Sequence, residues 1–145
     1  MNFAKPCLDV GLNTSSVEAI LRFRREEVGL VYEGPLLIRQ GVTQHRFVSD
    51  GSIVKVNVHA HALTDEPMSG YREVLVAKAD LVSEKRLRDP DGNLVCLWPA
   101  GVGGIGQIAV RIAVRDLARH RSFLGKALGL GEHRPPYAGS ACFGL

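Results

Sequence analysis

Two rhythms of apolar and polar positions run along the chain. A period of two dominates the middle. Residues 53–59, IVKVNVH, put Val54, Val56 and Val58 on one face of a strand and Ile53, Lys55, Asn57 and His59 on the other, with His61 continuing the polar row. Residues 43–48, TQHRFV, read as the preceding strand. Between them Ser49-Asp50-Gly51-Ser52 reads as a hairpin turn, because Asp-Gly accepts the positive φ that such turns need. Pairing across that turn brings His45 near residues 56–57. Residues 71–77, YREVLVA, are a further strand. Asp89-Pro90-Asp91-Gly92-Asn93 is a tight turn in which Pro presets φ and Gly and Asn tolerate the left-handed region. The apolar run 94–98, LVCLW, follows it as a buried strand.

A period near 3.6 occurs twice. From Ser16, the residues Val17, Ile20, Leu21, Phe23 and Val28 fall on one helical face, with Ser15 or Ser16 as the cap and Gly29 at the C-terminal end. From Asp116, the residues Leu117, Phe123, Leu124, Ala127 and Leu128 do the same, and Gly129 ends the pattern. The two regions echo each other at an offset of 100 without a gap. Val10/Val110, Phe23/Phe123, Gly29/Gly129 and Leu30/Leu130 are identical, and Leu12/Ile112, Val17/Leu117 and Val28/Leu128 are similar. In both copies a short strand enters a helix that closes on an apolar-Gly-Leu step. The echo predicts a duplicated βα unit.

Composition narrows the class. With 145 residues, 46% hydrophobic and 23% charged, the chain has the make-up of one globular domain, neither disordered nor low in complexity. A net charge of +3 with scattered basic residues does not call for nucleic acid. The longest uncharged apolar stretch, 94–110, is broken by Pro99 and four glycines and cannot cross a bilayer as a helix. The first residues have no apolar core of signal-peptide length, so the cytoplasm is the expected compartment. Three cysteines, Cys7, Cys96 and Cys142, are an odd number without CxxC spacing, which argues against a disulfide framework or a zinc knuckle.

A strand, a helix ending in Phe-x-x-x-x-apolar-Gly-Leu, a hairpin, and then Leu-x-Asp-Pro-Asp-Gly-Asn-x-Val-x-Leu resembles the vicinal oxygen chelate superfamily. That group includes glyoxalase I, bleomycin-resistance proteins and extradiol ring-cleaving dioxygenases. The resemblance spans about residues 8–130. It implies an α+β fold of paired βαβββ modules whose sheets curl into a cup around a small molecule. Here residues 1–100 would be the first module and 101–145 a second, shortened at its C-terminal end, together one domain. The second module would lack about two strands, so the expected partner is a second copy of the chain, in a homodimer.

In active members of the superfamily a divalent metal sits on His and Glu side chains from the first and last strand of each module, and acts as a Lewis acid on two substrate oxygens. Carried over by position, the ligands would be Asp9 and Cys96. The first-strand position of the second module is Ala109, which is no ligand, and the fourth has no counterpart. Cys96 reads equally as a small buried hydrophobe, and Asp9 as a turn-bonding or solvated carboxylate. The resemblance therefore implies a small-molecule pocket with a degenerate metal site, or, as the alternative, a metal-dependent lyase or ring-cleaving dioxygenase with unusual ligands.

His45, Lys55, Asn57 and His59 are the candidate binding residues. On a cup-facing strand they would meet an anionic or carbonyl-bearing small molecule. His59 and His61, with His45 across the hairpin, also have the spacing to share a metal. The plain alternative is a solvated polar face. Residues 101–106, GVGGIG, fit GxGxxG and offer a rival reading as the pyrophosphate turn of a nucleotide-binding fragment. Against it, Ile108, Val110, Ile112 and Val114 alternate like a strand, and too few residues follow for a dinucleotide-binding sheet. The arginines of 22–25 and 115–121 read as solvated helix faces.

Overall fold

The structure, a computed structural model, describes residues 7–61, 70–135 and 137–144. The Asp-Gly hairpin forms as the pattern predicts. Strands β3 (Val42–Ser49) and β4 (Ser52–His59) pair antiparallel up to Ser49 opposite Ser52, and the turn is Asp50 at φ 46° and Gly51 at φ 88°. Strand β2 (Val31–Arg39) adds to β3, and β1 (Asp9–Thr14) lies parallel to β4, giving the order β1-β4-β3-β2. The first crossover carries helix α1 (Val17–Arg22), which widens into a π turn over Phe23–Glu27. Residues 9–59 are therefore a complete βαβββ unit.

A second four-stranded sheet has the order β6-β7-β5-β8, from β5 (Tyr71–Lys78), β6 (Lys85–Arg88), β7 (Leu94–Pro99) and β8 (Ile108–Ile112). Its parallel β5–β7 and antiparallel β6–β7 pairs repeat the relations of β1 to β4 and β4 to β3. Strand β8 runs antiparallel to the other edge of β5. Helix α2 (Leu117–Ser122) again ends in a π turn, Phe123–Ala127, and two short strands, β9 (Gly131–His133) and β10 (Cys142–Gly144), pair with each other.

The strand pairing differs from a first module reaching residue 100. The hairpin already completes the first sheet, and both edges of β5 are taken by β7 and β8. The Asp89 turn and Cys96 thus belong to the second sheet. Residues 108–112 form a strand, as their alternation predicts.

The echo at an offset of 100 is a structural repeat. The amide of Val28 donates to the Phe23 carbonyl (3.0 Å) and that of Leu30 to Arg24 (3.0 Å); Leu128 donates to Phe123 (3.2 Å) and Leu130 to Leu124 (3.1 Å). Gly29 and Gly129 close the two helices at φ 67° and 70°, where a Cβ would clash with its own backbone. Burial separates the copies. Phe23 is 3% exposed and Phe123 52%. Ile20, Phe23 and Val28 join one core with Val10, Phe47, Val54 and Val56 of the first sheet and Val74, Val76, Val95, Leu97 and Ile108 of the second.

Arg24 is not on a solvated helix face. Its side chain is fully buried, and Nη2 donates to Asp89 Oδ2 at 2.7 Å. The other oxygen of Asp89 accepts the amides of Asp91 (3.1 Å) and Asn93 (2.8 Å). The Asp-Pro-Asp-Gly-Asn turn is therefore folded around one carboxylate that also anchors α1.

Candidate functional site

Alternation divides the second sheet. Val74, Val76, Val95 and Leu97 face the core. Glu73, Leu75, Cys96 and Trp98 take the opposite face, and register brings their neighbours beside them. Glu73 lies opposite Arg111, Leu75 is flanked by Cys96 and Ala109, and Cys96 by Arg86. Glu73 is fully buried on this face. Arg111 Nη2 is 2.7 Å from its Oε1 and Arg86 Nε 3.7 Å from its Oε2. Neither contact has hydrogen-bond alignment, so both carboxylate oxygens are held by charge alone. A buried carboxylate persists only when cations compensate its lost hydration, and these two do so.

The cluster continues outward. Arg86 Nη1 meets Glu84 Oε1 at 2.8 Å, and the Tyr137 hydroxyl donates to Glu84 Oε2 at 2.6 Å. Arg111 lies over the Tyr137 ring, 4.9 Å from its centre, and Trp98 meets that ring edge-on at 5.6 Å. Burial, with the charges of Glu73 and Glu84, pushes the Cys96 thiol up to about 11. Burial and the bond to Glu84 push Tyr137 up to about 12. Both groups stay protonated at neutral pH. Perturbed groups gathered on one sheet face mark this as the candidate site.

The first sheet carries the residues singled out from sequence. Lys55 Nζ donates to Asp9 Oδ2 at 2.8 Å, His59 Nε2 lies 3.0 Å from Asn13 Oδ1, and Gln44 donates to Asn57 at 2.8 Å. Lys55, Asn57 and His59 thus form a polar row with β1, as alternation predicts. His45 is not part of it. Antiparallel register sets it opposite Val56, on the valine face, where its Nδ1 is 2.6 Å from the Tyr32 hydroxyl. Burial lowers its pKa. His45 therefore reaches neither the polar row nor a metal shared with His59.

Asp9 and Cys96 do not come together either. They stand in different sheets, Asp9 beside Lys55 and Cys96 in an apolar cluster with Leu75, Trp98 and Ile105. Among the described residues, no three His, Cys, Asp or Glu side chains gather as a metal site. Glu73, not Asp9, shares a face with Cys96. The sequence signal was present in the alternation of Tyr-Arg-Glu-Val-Leu-Val, but its meaning depends on Arg111, brought alongside by β8. This face suits a divalent cation poorly: two guanidiniums ring the carboxylate, the thiol is protonated, and Ala109 offers no donor.

The glycine-rich stretch leads into strand β8, so no helix N-terminus follows it to hold a pyrophosphate. Two open clefts lie elsewhere. One of about 510 Å³ is bordered by Leu30, Val48 and Lys78, and one of about 420 Å³ by Glu33 and Arg46. Neither is lined by Glu73, Arg86, Trp98 or Arg111, and the larger meets that face only at Ala77. No helix among the described residues is long and apolar enough to cross a membrane.

No protein-family model matches the chain, and no curated protein does. Among solved structures, a glyoxalase I mutant from Zea mays is similar over 94% of this chain, with a TM-score of 0.72 and 13% identity. This chain covers 66% of the length of that one. The fold is glyoxalase-like, as the sequence motifs imply.

Proposed function

We propose that this glyoxalase-like chain binds a small molecule on the Glu73 face of its second sheet, without a resident metal. Arg86 and Arg111 take a carboxylate or carbonyl oxygen of the ligand, and Trp98 and Leu75 take its apolar part. The observation that carries this reading is the fully buried Glu73 between two partly exposed guanidiniums. Glu73 fixes the two forks from beneath. A guanidinium retains several donors in a planar array after one has met Glu73, and planar oxyanions match that array. Lys55, Asn57 and His59 are the second place such a ligand could be held, but their polar atoms already engage Asp9, Asn13 and Gln44.

Trp98, the single tryptophan of the sequence, reports on the face directly. Benzoate titrated into metal-free protein is expected to change Trp98 fluorescence saturably, and Arg111→Leu is expected to abolish the response. Saturable binding that survives Arg111→Leu would remove the proposal. Iron, manganese, nickel or zinc at one equivalent in the purified protein would instead support the metal-dependent lyase or dioxygenase.

The same reading makes the protein a homodimer. Phe123 and Ile112 lie open on the second βα unit, at 52% and 48% exposure, where Phe23 of the first is covered. A second copy covering them is the simplest completion.

A further inference from the structure

Residues 131–135 and 137–144 return across the second sheet. Tyr137 bonds Glu84 and accepts from Arg86 Nη2 at 3.2 Å, while its ring lies on Trp98 and Arg111. Tyr137 and Cys142 pack against Leu75, Cys96, Trp98 and Ile105. The seat of this segment is the glycine-rich loop. The Cys142 thiol donates to the Gly103 carbonyl at 3.3 Å, and Trp98 Nε1 ties the same loop down through the Val102 carbonyl at 2.9 Å. His133 occupies the space beside two glycines. A Cβ on Gly104 would lie 2.9 Å from His133 Cγ, and one on Gly144 2.7 Å from its Nε2. Within the loop Gly104 serves this close packing, while Gly101, Gly103 and Gly104 hold positive φ of 84°, 65° and 78°.

We propose that residues 131–135 and 137–144 form a strap that closes the Glu73 face, with Tyr137 as its latch and the loop at 101–106 as its seat, so that ligand enters only when the strap lifts. This rests on the reading of that face as a binding site. The contrast in burial supports it. Residues 131–135 are exposed throughout, so lifting them uncovers little new surface, whereas Glu73 and Cys96 beneath the latch are fully buried. The latch has a polar part, one hydroxyl between Glu84 and Arg86 whose bonds water can replace at small net cost, and an apolar part, the Tyr137 ring packed with Cys142 on Leu75, Cys96, Trp98 and Ile105.

Cys96 is the reporter. The full chain is treated with iodoacetamide at constant pH and the modified cysteines are located by peptide mass spectrometry. Cys7, beside Gly51 in the first sheet, is the internal reference. Gly104→Ala sets a methyl against His133, at a φ of 78° that favours glycine, and so unseats the strap, and Tyr137→Ala removes the latch. Both are expected to speed Cys96 labelling at least tenfold while Cys7 is unchanged. Equal Cys96 rates in all three proteins would overturn the strap. Should Cys7 also accelerate, the fold is lost, and Tyr137→Phe, which removes only the hydroxyl bonds, carries the same expectation. Benzoate titration of the variants separates the two claims. Fast Cys96 labelling with no benzoate binding keeps the strap and removes the binding reading. Equal benzoate affinity in the parent and in Gly104→Ala removes the strap and keeps the site.

Discussion

Arg24 and Asp89 are the residues on which two parts of the chain depend most. Each is fully buried, and each is the other's charge partner across 65 positions of sequence. Breaking a buried pair from one side strands the remaining charge, which costs on the order of 3–5 kcal/mol. Arg24→Met and Asp89→Ala are each expected to lower unfolding free energy by about that amount in urea titrations, with Asp89→Ala also opening the turn. The double substitution is expected to cost less than the sum, since no lone charge remains. His45 makes a pH prediction. Its folded pKa lies below the ordinary 6.5, so on acidification the unfolded chain takes up the proton first. Stability is therefore present above pH 6.5 and is lost as pH falls below it. An NMR titration is expected to place the ring's midpoint below 6.5, and a midpoint above it would contradict the burial argument. The sequence shows neither role. An arginine in Arg-Phe-Arg-Arg and a histidine in a strand look solvated until a distant segment supplies the partner or the lid.

The two helices form a matched experiment within one molecule. Their hydrogen bonds agree, their closing glycines agree, and only the surroundings differ. Phe23→Ala is expected to cost about 3–5 kcal/mol, as for a buried aromatic, and Phe123→Ala less than about 0.5 kcal/mol in a dilute monomer. Equal losses would mean that Phe123 is as well covered as Phe23. What was legible at this scale is what is local. Val54-Lys55-Val56 alternation, the Asp50-Gly51 turn and the Phe-to-Gly-Leu spacing each state their own geometry. The sheet to which β5, β6 and β7 belong was not legible, because Tyr71-Arg72-Glu73-Val74 reads the same whichever strand lies beside it. Pairing choice depends on which edges are already filled.

The molecule is built from repeated units that share one apolar core and turn polar faces outward. The first unit satisfies its polar row internally, through Asp9–Lys55 and Asn13–His59. The second concentrates a buried carboxylate, two guanidiniums, a thiol and a phenol on one face, and the second helix leaves Phe123 bare. Light scattering is expected to give a dimer that Phe123→Asp dissociates; a monodisperse monomer would refute the pairing. The fold was legible from the motifs because turns and helix ends are punctuated by Gly, Pro and Asp. Of the candidate site, the sequence singles out Cys96 only as a metal position by resemblance, while its neighbour Glu73 gains its meaning from Arg111 across a sheet. The most direct measurement is a residue-resolved NMR titration of metal-free Gly104→Ala protein with benzoate. Shifts are expected at Glu73, Arg86, Arg111 and the Trp98 indole, and shifts confined to Lys55, Asn57 and His59, or none at all, would contradict the account.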